Sequence, residues 1–304
     1  MRPLRPERAP TRPSRYKKLG YGFVVITDHN RVDTAAHFTQ FNDEGFLAIN
    51  GEEVTEDSPS AKEPGHPRVA VHVNAICMDP GATDPAPGPH FATVKSALTS
   101  ALDYVDAHPG AIAQINHPNY QWALTYDDLK DLKGGSLIEI ANQHQIAHNE
   151  GDAKHPSVER LWDRLLTEGK DLYGVASDDM HALNQGHGVK WAHPGHGWVQ
   201  VAASSLTAAG VRDALAAGRF YASTGVELTN VTVLGGTMAL DIKPSKGAPK
   251  GYVTEFIGKG GRVLSRQQGL KPTYTVKGDE GYVRARVRGP DGKTAWVQPV
   301  RVGP

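Results

Sequence analysis

Between Lys17 and about Thr224, short apolar runs alternate with amphipathic stretches, and several of the apolar runs stop on an acid or a histidine. "FVVIT" leads into Asp28-His29, and "FLAINGEE" (46–53) ends in Glu52-Glu53. "VAVHVNAI" (69–76) alternates and carries His72, while "AIAQINHP" (111–118) ends at His117. "SLIEIAN" (136–142) reads as a strand, and "LYGVAS" (172–177) runs into Asp178-Asp179-Met180-His181. Helical spacing separates them. Val94, Ala97, Leu98, Ala101, Leu102 and Val105 mark one face of a helix over 91–107, which Pro109 and Gly110 stop. Thr125 with Asp128 opens a short helix. Ser157 caps another, with apolar face Val158, Leu161, Trp162, Leu165 and Leu166, and Gly169 ends it. After a Gly/His-rich loop (184–197) come "WVQVA", the helix "LTAAGVRDALAAG" and "RFYAST". Strands alternating with helices predict an α/β fold with a mainly parallel sheet, covered on both faces. In such folds the C-terminal ends of the strands share one rim, where sites are built.

The texture changes after Gly225. "VTVL", "MALDIK", "YVTEFIG", "PTYTV", "YVRARVR" and "AWVQPVRV" are short and mostly alternating, with a turn at "GPDGKT". They predict a small antiparallel β domain over 226–304. In "YVRARVR", Val283, Ala285 and Val287 are expected to face inward, with Arg284, Arg286 and Arg288 forming a solvated row. Residues 15–225 form the larger domain. Residues 1–14, rich in Arg and Pro, read as a disordered tail with no apolar signal core.

Composition narrows the function classes. Lys+Arg and Asp+Glu number 33 each, so no global field draws in nucleic acid or an anionic membrane. No apolar segment approaches the ~18 residues of a membrane span, and the lack of a leader points to the cytoplasm. The single cysteine, Cys77, reads as a small buried hydrophobe.

Taken singly, each strand-end histidine or acid has a bland reading as a satisfied loop group. Taken together, His29, Glu53, His72, His117, Asp179 and His181 fall at successive strand ends, and so on one rim. Imidazoles and carboxylates suit a divalent ion such as Zn²⁺, Mn²⁺ or Fe²⁺. A bridging acid, Glu53 or Asp179, suits two metals ~3.5–4 Å apart.

The stretches "GFVVITDHN", "GEEVT", "HVNAI", "INHPN" and "GVASDDMH" resemble the PHP (polymerase and histidinol phosphatase) family of metal-dependent hydrolases. They are most similar to its carbaryl-hydrolase-like branch, as are "RFYASTGVEL" and the C-terminal tail, from about Tyr16 onward. The resemblance implies a distorted (β/α)7 barrel carrying two or three metals. His29 matches the histidine of the T-D-H motif, and Glu53 the bridging glutamate. His72 and His117 match the histidines sharing a metal with it, and Asp179 and His181 match the D-x-H pair. Asp28 then orients the site instead of ligating. The family's opening H-x-H strand has no counterpart among residues 1–28. Either the true start lies upstream, or the chain is a degenerate form lacking one strand and half of one metal's ligands.

The reading that follows is a hydrolase in which a metal acidifies the attacking water, with Asp28, His29 and His181 as catalytic candidates. The substrate is a small molecule, expected first to be a phosphoester, as in the general family, with a carbamate or amide, as in the closest branch, as the alternative. A non-catalytic metal-binding remnant is the competing class. Arg219 and His196 are candidate substrate contacts, and His187 and His193 share the latter's loop over the site.

Overall fold

The computed structural model describes residues 12–32, 38–63, 66–79, 82, 91–181, 192–247 and 250–303. Six strands lie side by side in chain order: β1 (Phe23–Ile26), β2 (Leu47–Glu63), β3 (His66–Ile76), β4 (Ile112–Ile115), β5 (Leu137–Asn142) and β6 (Tyr173–Ser177). The pairs β1/β2, β4/β5 and β5/β6 are parallel, whereas β2/β3 and β3/β4 are antiparallel. This corrects the expected (β/α)7 barrel. The sheet is curled and mixed, and strand outweighs helix, 38% against 20%. The cause lies in β2, which runs on past Glu53 to Glu63 and returns within two residues as β3. So short a connection leaves no room for a crossover helix and forces an antiparallel pair.

Three helices cover the outer face. α1 (Arg12–Lys18) packs beside β1, α2 (Val94–Asp106) crosses β2 and β3, and α4 (Val158–Thr167) backs β5; α3 (Tyr126–Leu129) is a single turn between β4 and β5. Thr93 and Ser157 accept hydrogen bonds from the backbone N–H groups of Ser96 and Arg160, which is why α2 and α4 begin there. Leu98, Leu102, Leu161, Trp162, Leu165 and Leu166 are buried with the valines of β3 in one core. Arg12, Pro13 and Ser14, assigned from sequence to the tail, form the first turn of α1. Proline is tolerated there because its missing N–H has no partner to lose. Residues 1–11 lie outside the described residues.

The remaining strands form two further sheets. One has the order β12-β11-β14-β15-β8-β7, from β7 (Trp198–Val201), β8 (Phe220–Ser223), β11 (Val253–Gly258), β12 (Arg262–Gln268), β14 (Tyr282–Arg288) and β15 (Thr294–Arg301). The other has the order β13-β10-β9, from β9 (Glu227–Leu234), β10 (Thr237–Lys243) and β13 (Thr273–Thr275). β7 and β8, which flank α5 (Ala208–Ala216), therefore hydrogen-bond with the C-terminal strands through β15. Gln298 of β15 also latches onto β6: its amide nitrogen donates to the carbonyl of Gly174, and its amide oxygen accepts from the Gly174 N–H, both at 2.8 Å. One side chain thus satisfies a backbone pair that a neighbouring strand would otherwise take.

The arginine row of β14 is not solvated as expected. Arg284 is fully buried and Arg286 largely so; only Arg288 is exposed. The face opposite Val283, Ala285 and Val287 packs on α4, where Asp163 and Glu159 receive the two guanidinium groups. Among the described residues, no helix is long and apolar enough to cross a membrane.

Candidate metal centre

The strand ends converge because register puts them side by side. The chain beyond β1 continues along β2: Glu53 donates its N–H to the carbonyl of Asp28 at 3.1 Å, and Asn30 donates to the carbonyl of Glu53 at 2.9 Å. His29 is thereby bridged to Glu53. Across the β2/β3 hairpin, Thr55 faces His72. Asn116 donates its N–H to the His72 carbonyl at 3.1 Å, which sets His117 next to His72. Alternation along β2 separates the two acids of "GEE". Glu53 turns to the concave face, while Glu52, buried, accepts from the hydroxyl of Tyr104 on α2 at 2.7 Å.

Glu53 Oε1 lies 2.9 Å from His72 Nδ1 and 3.6 Å from His117 Nε2. The two imidazole nitrogens are 3.2 Å apart. Ligands at ~2.0–2.1 Å from a tetrahedral ion sit roughly 3.3 Å from one another, so these three atoms form one face of such a polyhedron. The second oxygen of Glu53, Oε2, is 3.7 Å from His29 Nδ1. His29, Glu53 and His72 present ligand atoms all within 4.8 Å of one another. The donor set, neutral imidazole with a carboxylate, fits a borderline divalent cation. His29 Nδ1 also lies 2.5 Å from Thr55 Oγ1.

Electrostatics fit the same use. Burial opposes the charge on Glu53, but the imidazoles of His72 and His117 outweigh it and hold the carboxyl well below its usual range. Burial pushes His72 toward its neutral form. Burial acts in the same sense on His117, yet its bond to Glu53 and the charge of Glu139 carry it up to about 9. A buried carboxylate beside one imidazole biased toward its neutral form and one biased toward its charged form is a donor set that suits a cation.

Backbone strain gathers on the same rim. His117 has φ 23°, Asp179 φ 49° and Asn30 φ 46°, left-handed conformations that side chains with a Cβ rarely adopt. His117 is held by Glu139 of β5, a buried carboxylate that accepts its N–H at 2.6 Å. Glu139 also accepts from Asn142 at 2.9 Å and from the hydroxyl of Ser177. Asn116 donates its side-chain amide to Glu53 at 3.1 Å.

The other expected residues separate into two groups. His181 stands 6.3 Å from His29, ring centre to ring centre, and Asp179 Oδ1 lies 3.5 Å from His181 Nδ1. Both thus border the cluster. Asp28 is ion-paired with Arg12 and supports the site through its backbone. His196 offers its N–H to Asp178 at 2.7 Å, but its side chain is exposed and does not line the cavity. Arg219 is exposed ahead of β8, away from the cluster. His187 lies outside the described residues. Asp178 accepts the N–H groups of Gly195, His196 and Gly197 together with the hydroxyl of Tyr16, and so ties the later loop and α1 to the end of β6. Sequence reasoning passed over Glu139, Asn142 and His144. An acid in the middle of the apolar run "SLIEIAN" was the available sign for the first; a lone histidine two residues past a strand gave none for His144.

Below the cluster the concave face opens on a cavity of about 1180 Å³. Its upper wall carries Glu53, Asn116, Glu139 and Asp179, and its depths Val25, Leu137, Val175, Val199 and Leu215. Arg12 is the one Lys or Arg among the lining residues. Compared with protein-family models, with curated proteins and with solved structures, the chain matches none.

Proposed function

We propose that this protein is a metal-dependent hydrolase whose metal is held by Glu53, His72 and His117, with His29 on the second carboxylate oxygen. The spacing of 2.9, 3.2 and 3.6 Å among three ligand atoms on three neighbouring chain segments carries the reading. The resemblance of the strand-end motifs to the PHP family supports it. A bound divalent ion supplies Lewis acidity and acidifies the water beside it. The chain's own residues do the rest. Glu139 fixes His117 through its backbone, and Asn116 fixes Glu53 through its side chain. His181 Nδ1 lies 2.8 Å from the carbonyl of Asp179, an acceptor, which makes it the protonated nitrogen.

The cavity favours one branch of that chemistry. Val25, Leu137, Val175, Val199 and Leu215 give it an apolar wall, and Arg12, the one Lys or Arg among the described lining residues, is already paired with Asp28. Among the described lining residues, a doubly charged phosphomonoester finds no Lys or Arg other than Arg12, only the imidazoles of His29 and His181. An uncharged ester, carbamate or amide with an apolar body finds a matching wall, so this reading stands ahead of the phosphoesterase one. The test is a substrate panel on zinc- or manganese-loaded protein: p-nitrophenyl phosphate, bis(p-nitrophenyl) phosphate, naphthyl acetate and naphthyl methylcarbamate. Turnover of the last two, lost in His117→Ala together with metal content, is the expected result. A folded, metal-loaded protein inert toward all four, with His117→Ala retaining full metal content, overturns the reading.

A further inference from the structure

The chain leaves His117 through a turn that is strained at several residues. After Pro118 and Asn119 comes a single 3₁₀ turn, Tyr120–Trp122, in which Gln121 and Trp122 have φ 53° and 52°. With His117 at φ 23°, three of these six residues sit in the left-handed region, and none is glycine. A bulky residue keeps that conformation only where its surroundings over-determine it. Part of the hold is hydrogen bonding. The His117 carbonyl accepts the N–H of Tyr120 at 2.8 Å, and the Pro118 carbonyl accepts that of Leu124 at 3.0 Å. Gln121 Oε1 accepts the N–H of Ala70, on β3, at 2.9 Å. Asn119 reaches the other way: its side-chain nitrogen donates to the carbonyls of His148 and Pro156, both at 3.0 Å.

Those two carbonyls belong to the loop between β5 and α4, and the same loop supplies two rings that hold Trp122. The imidazole of His148 lies 4.6 Å from the indole, centre to centre, and 15° from parallel; that of His155 lies 4.0 Å away at 12°. Two imidazoles so close to one centre would overlap on a single face, so they stack on opposite faces. The indole is thus fixed along its normal from both sides. Each stacking residue is anchored in turn. His155 Nδ1 lies 2.8 Å from Asp152 Oδ1, which also accepts the backbone N–H groups of Lys154 and His155 at 2.7 Å. His148 is itself left-handed, φ 49°, and its carbonyl accepts from Gly151 at 2.9 Å. Trp122 is half-buried and stands outside the apolar clusters of the described core. Between it and His117, the ring of Tyr120 meets the His117 imidazole edge to face, centroids 5.1 Å apart at 74°.

We propose that Trp122 is a positioning residue for His117: the His148–Trp122–His155 stack holds the strained turn that fixes where the His117 imidazole meets Glu53 and His72. The inference rests on the metal-dependent reading above and adds to it a residue that acts through the chain. Released from the stack, the turn relaxes toward ordinary backbone angles, and His117, part of the same strained run, moves with it. Groups that orient a metal ligand from outside typically change metal affinity about 10–100-fold.

Cobalt(II) and the full chain test the proposal, with affinity read by equilibrium dialysis and coordination by visible absorption at saturation. Trp122→Ala should weaken cobalt binding about 10–100-fold and shift the visible bands. Trp122→Phe keeps a flat ring between the imidazoles and should recover most of the affinity and the wild-type bands. His148→Asn removes one stacking ring while tolerating the left-handed backbone. It should fall between wild type and Trp122→Ala, and it decides the matter if Trp122→Ala does not fold. Phe256→Leu destabilises the buried core of the C-terminal strands instead, and should leave affinity and bands unchanged. Wild-type affinity and bands in Trp122→Ala and His148→Asn overturn the proposal. So does a loss in Trp122→Ala that Trp122→Phe fails to repair, or one that Phe256→Leu reproduces. If wild type binds no cobalt at all, the metal-dependent reading falls, and the role of Trp122 with it.

Discussion

The molecule buries charge in two places, in opposite ways. Between α4 and β14, Arg284 faces Asp163 through two parallel hydrogen bonds at 2.6 and 2.7 Å, and Tyr282 donates to the same carboxylate at 2.8 Å. Glu159 lies 2.8 Å from Arg284 and 2.7 Å from Arg286, which in turn pairs with Glu255. Here permanent cations meet permanent anions. At the strand ends, Glu53 meets imidazoles, which unlike guanidinium groups can give up their charge, and their ligand atoms crowd together. The first arrangement is closed and fixes one packing of helix on sheet. The second, on the metal-dependent reading proposed above, is completed by a cation that can exchange. What distinguishes structure from site is not burial but whether the charges are already balanced by groups that cannot leave.

The comparison breaks most visibly at Arg284. Arg284→Met leaves Asp163 buried without its cation and Glu159 with Arg286 alone, and should cost about 3–5 kcal/mol of unfolding free energy. Urea denaturation measures it. Combining Arg284→Met with Asp163→Leu and Glu159→Gln should recover most of that loss, because an apolar replacement removes the need for balance. If the single substitution costs less than about 1 kcal/mol, the α4–β14 cluster is not the closed unit described above.

Glu53→Gln tests the other cluster by what it does to ligand binding. Zinc at a hundredfold excess over its Kd should raise wild-type stability by about 2.7 kcal/mol. The variant should lose that increment, and chelator should bring wild type down to the variant's level. A zinc-dependent rise in the melting temperature that survives Glu53→Gln would remove Glu53 from the centre.

A third buried carboxylate sharpens the contrast. Glu56, on the α2-facing side of β2, is fully buried, and neither of its oxygens has a hydrogen-bond partner among the described residues. Burial, then the charge of Asp57, raises its pKa from 4.5 to about 7. The folded state holds this proton more tightly than the unfolded chain does. Its contribution is therefore fully present below pH 4.5 and is lost as pH rises through 7. Glu56→Gln should flatten that decline, leaving the variant more stable than wild type at pH 8 by something on the order of 2 kcal/mol. Parallel stability curves from pH 4 to 8 would show that Glu56 is balanced after all.

These contrasts explain what could and could not be read from the sequence. The strands β1, β4, β5 and β6 and the helices α2, α4 and α5 were legible, because periodicity and N-caps are local. Ser157 accepts the expected hydrogen bond, and Thr93 and Thr207, not singled out from the sequence, do the same at the starts of α2 and α5. The β2/β3 hairpin was not legible. Acids at 52, 53, 56, 57 and 63 depress strand propensity, so two strands were read short and the space between them left open to a crossover. Strand direction, and with it the barrel, turned on those few residues. The arginine row failed for a related reason: alternation says that two faces differ, not that the polar one meets water. Arg284 meets α4, some 120 positions earlier in the chain. His29, Glu53, His72 and His117 were legible as a group because each ends or punctuates a strand.

The smallest effect tests how far the closed cluster relies on the helix that carries it. Ser157 accepts the N–H of Arg160 at 3.2 Å and starts α4 two residues before Glu159. Ser157→Ala should cost about 1 kcal/mol, the usual worth of such a cap. If α4 is held only by its apolar face, this loss adds to that of Arg284→Met. If the cap and the ion pairs fix the same helical turn, the double variant should lose less than the sum, because once Arg284 is gone the first turn frays and the cap has little left to hold. A double-mutant cycle in urea reads the difference. A coupling of about 0.5 kcal/mol or more places Ser157 inside the closed cluster, and strict additivity places it outside, with the ion pairs acting on a helix that is already formed.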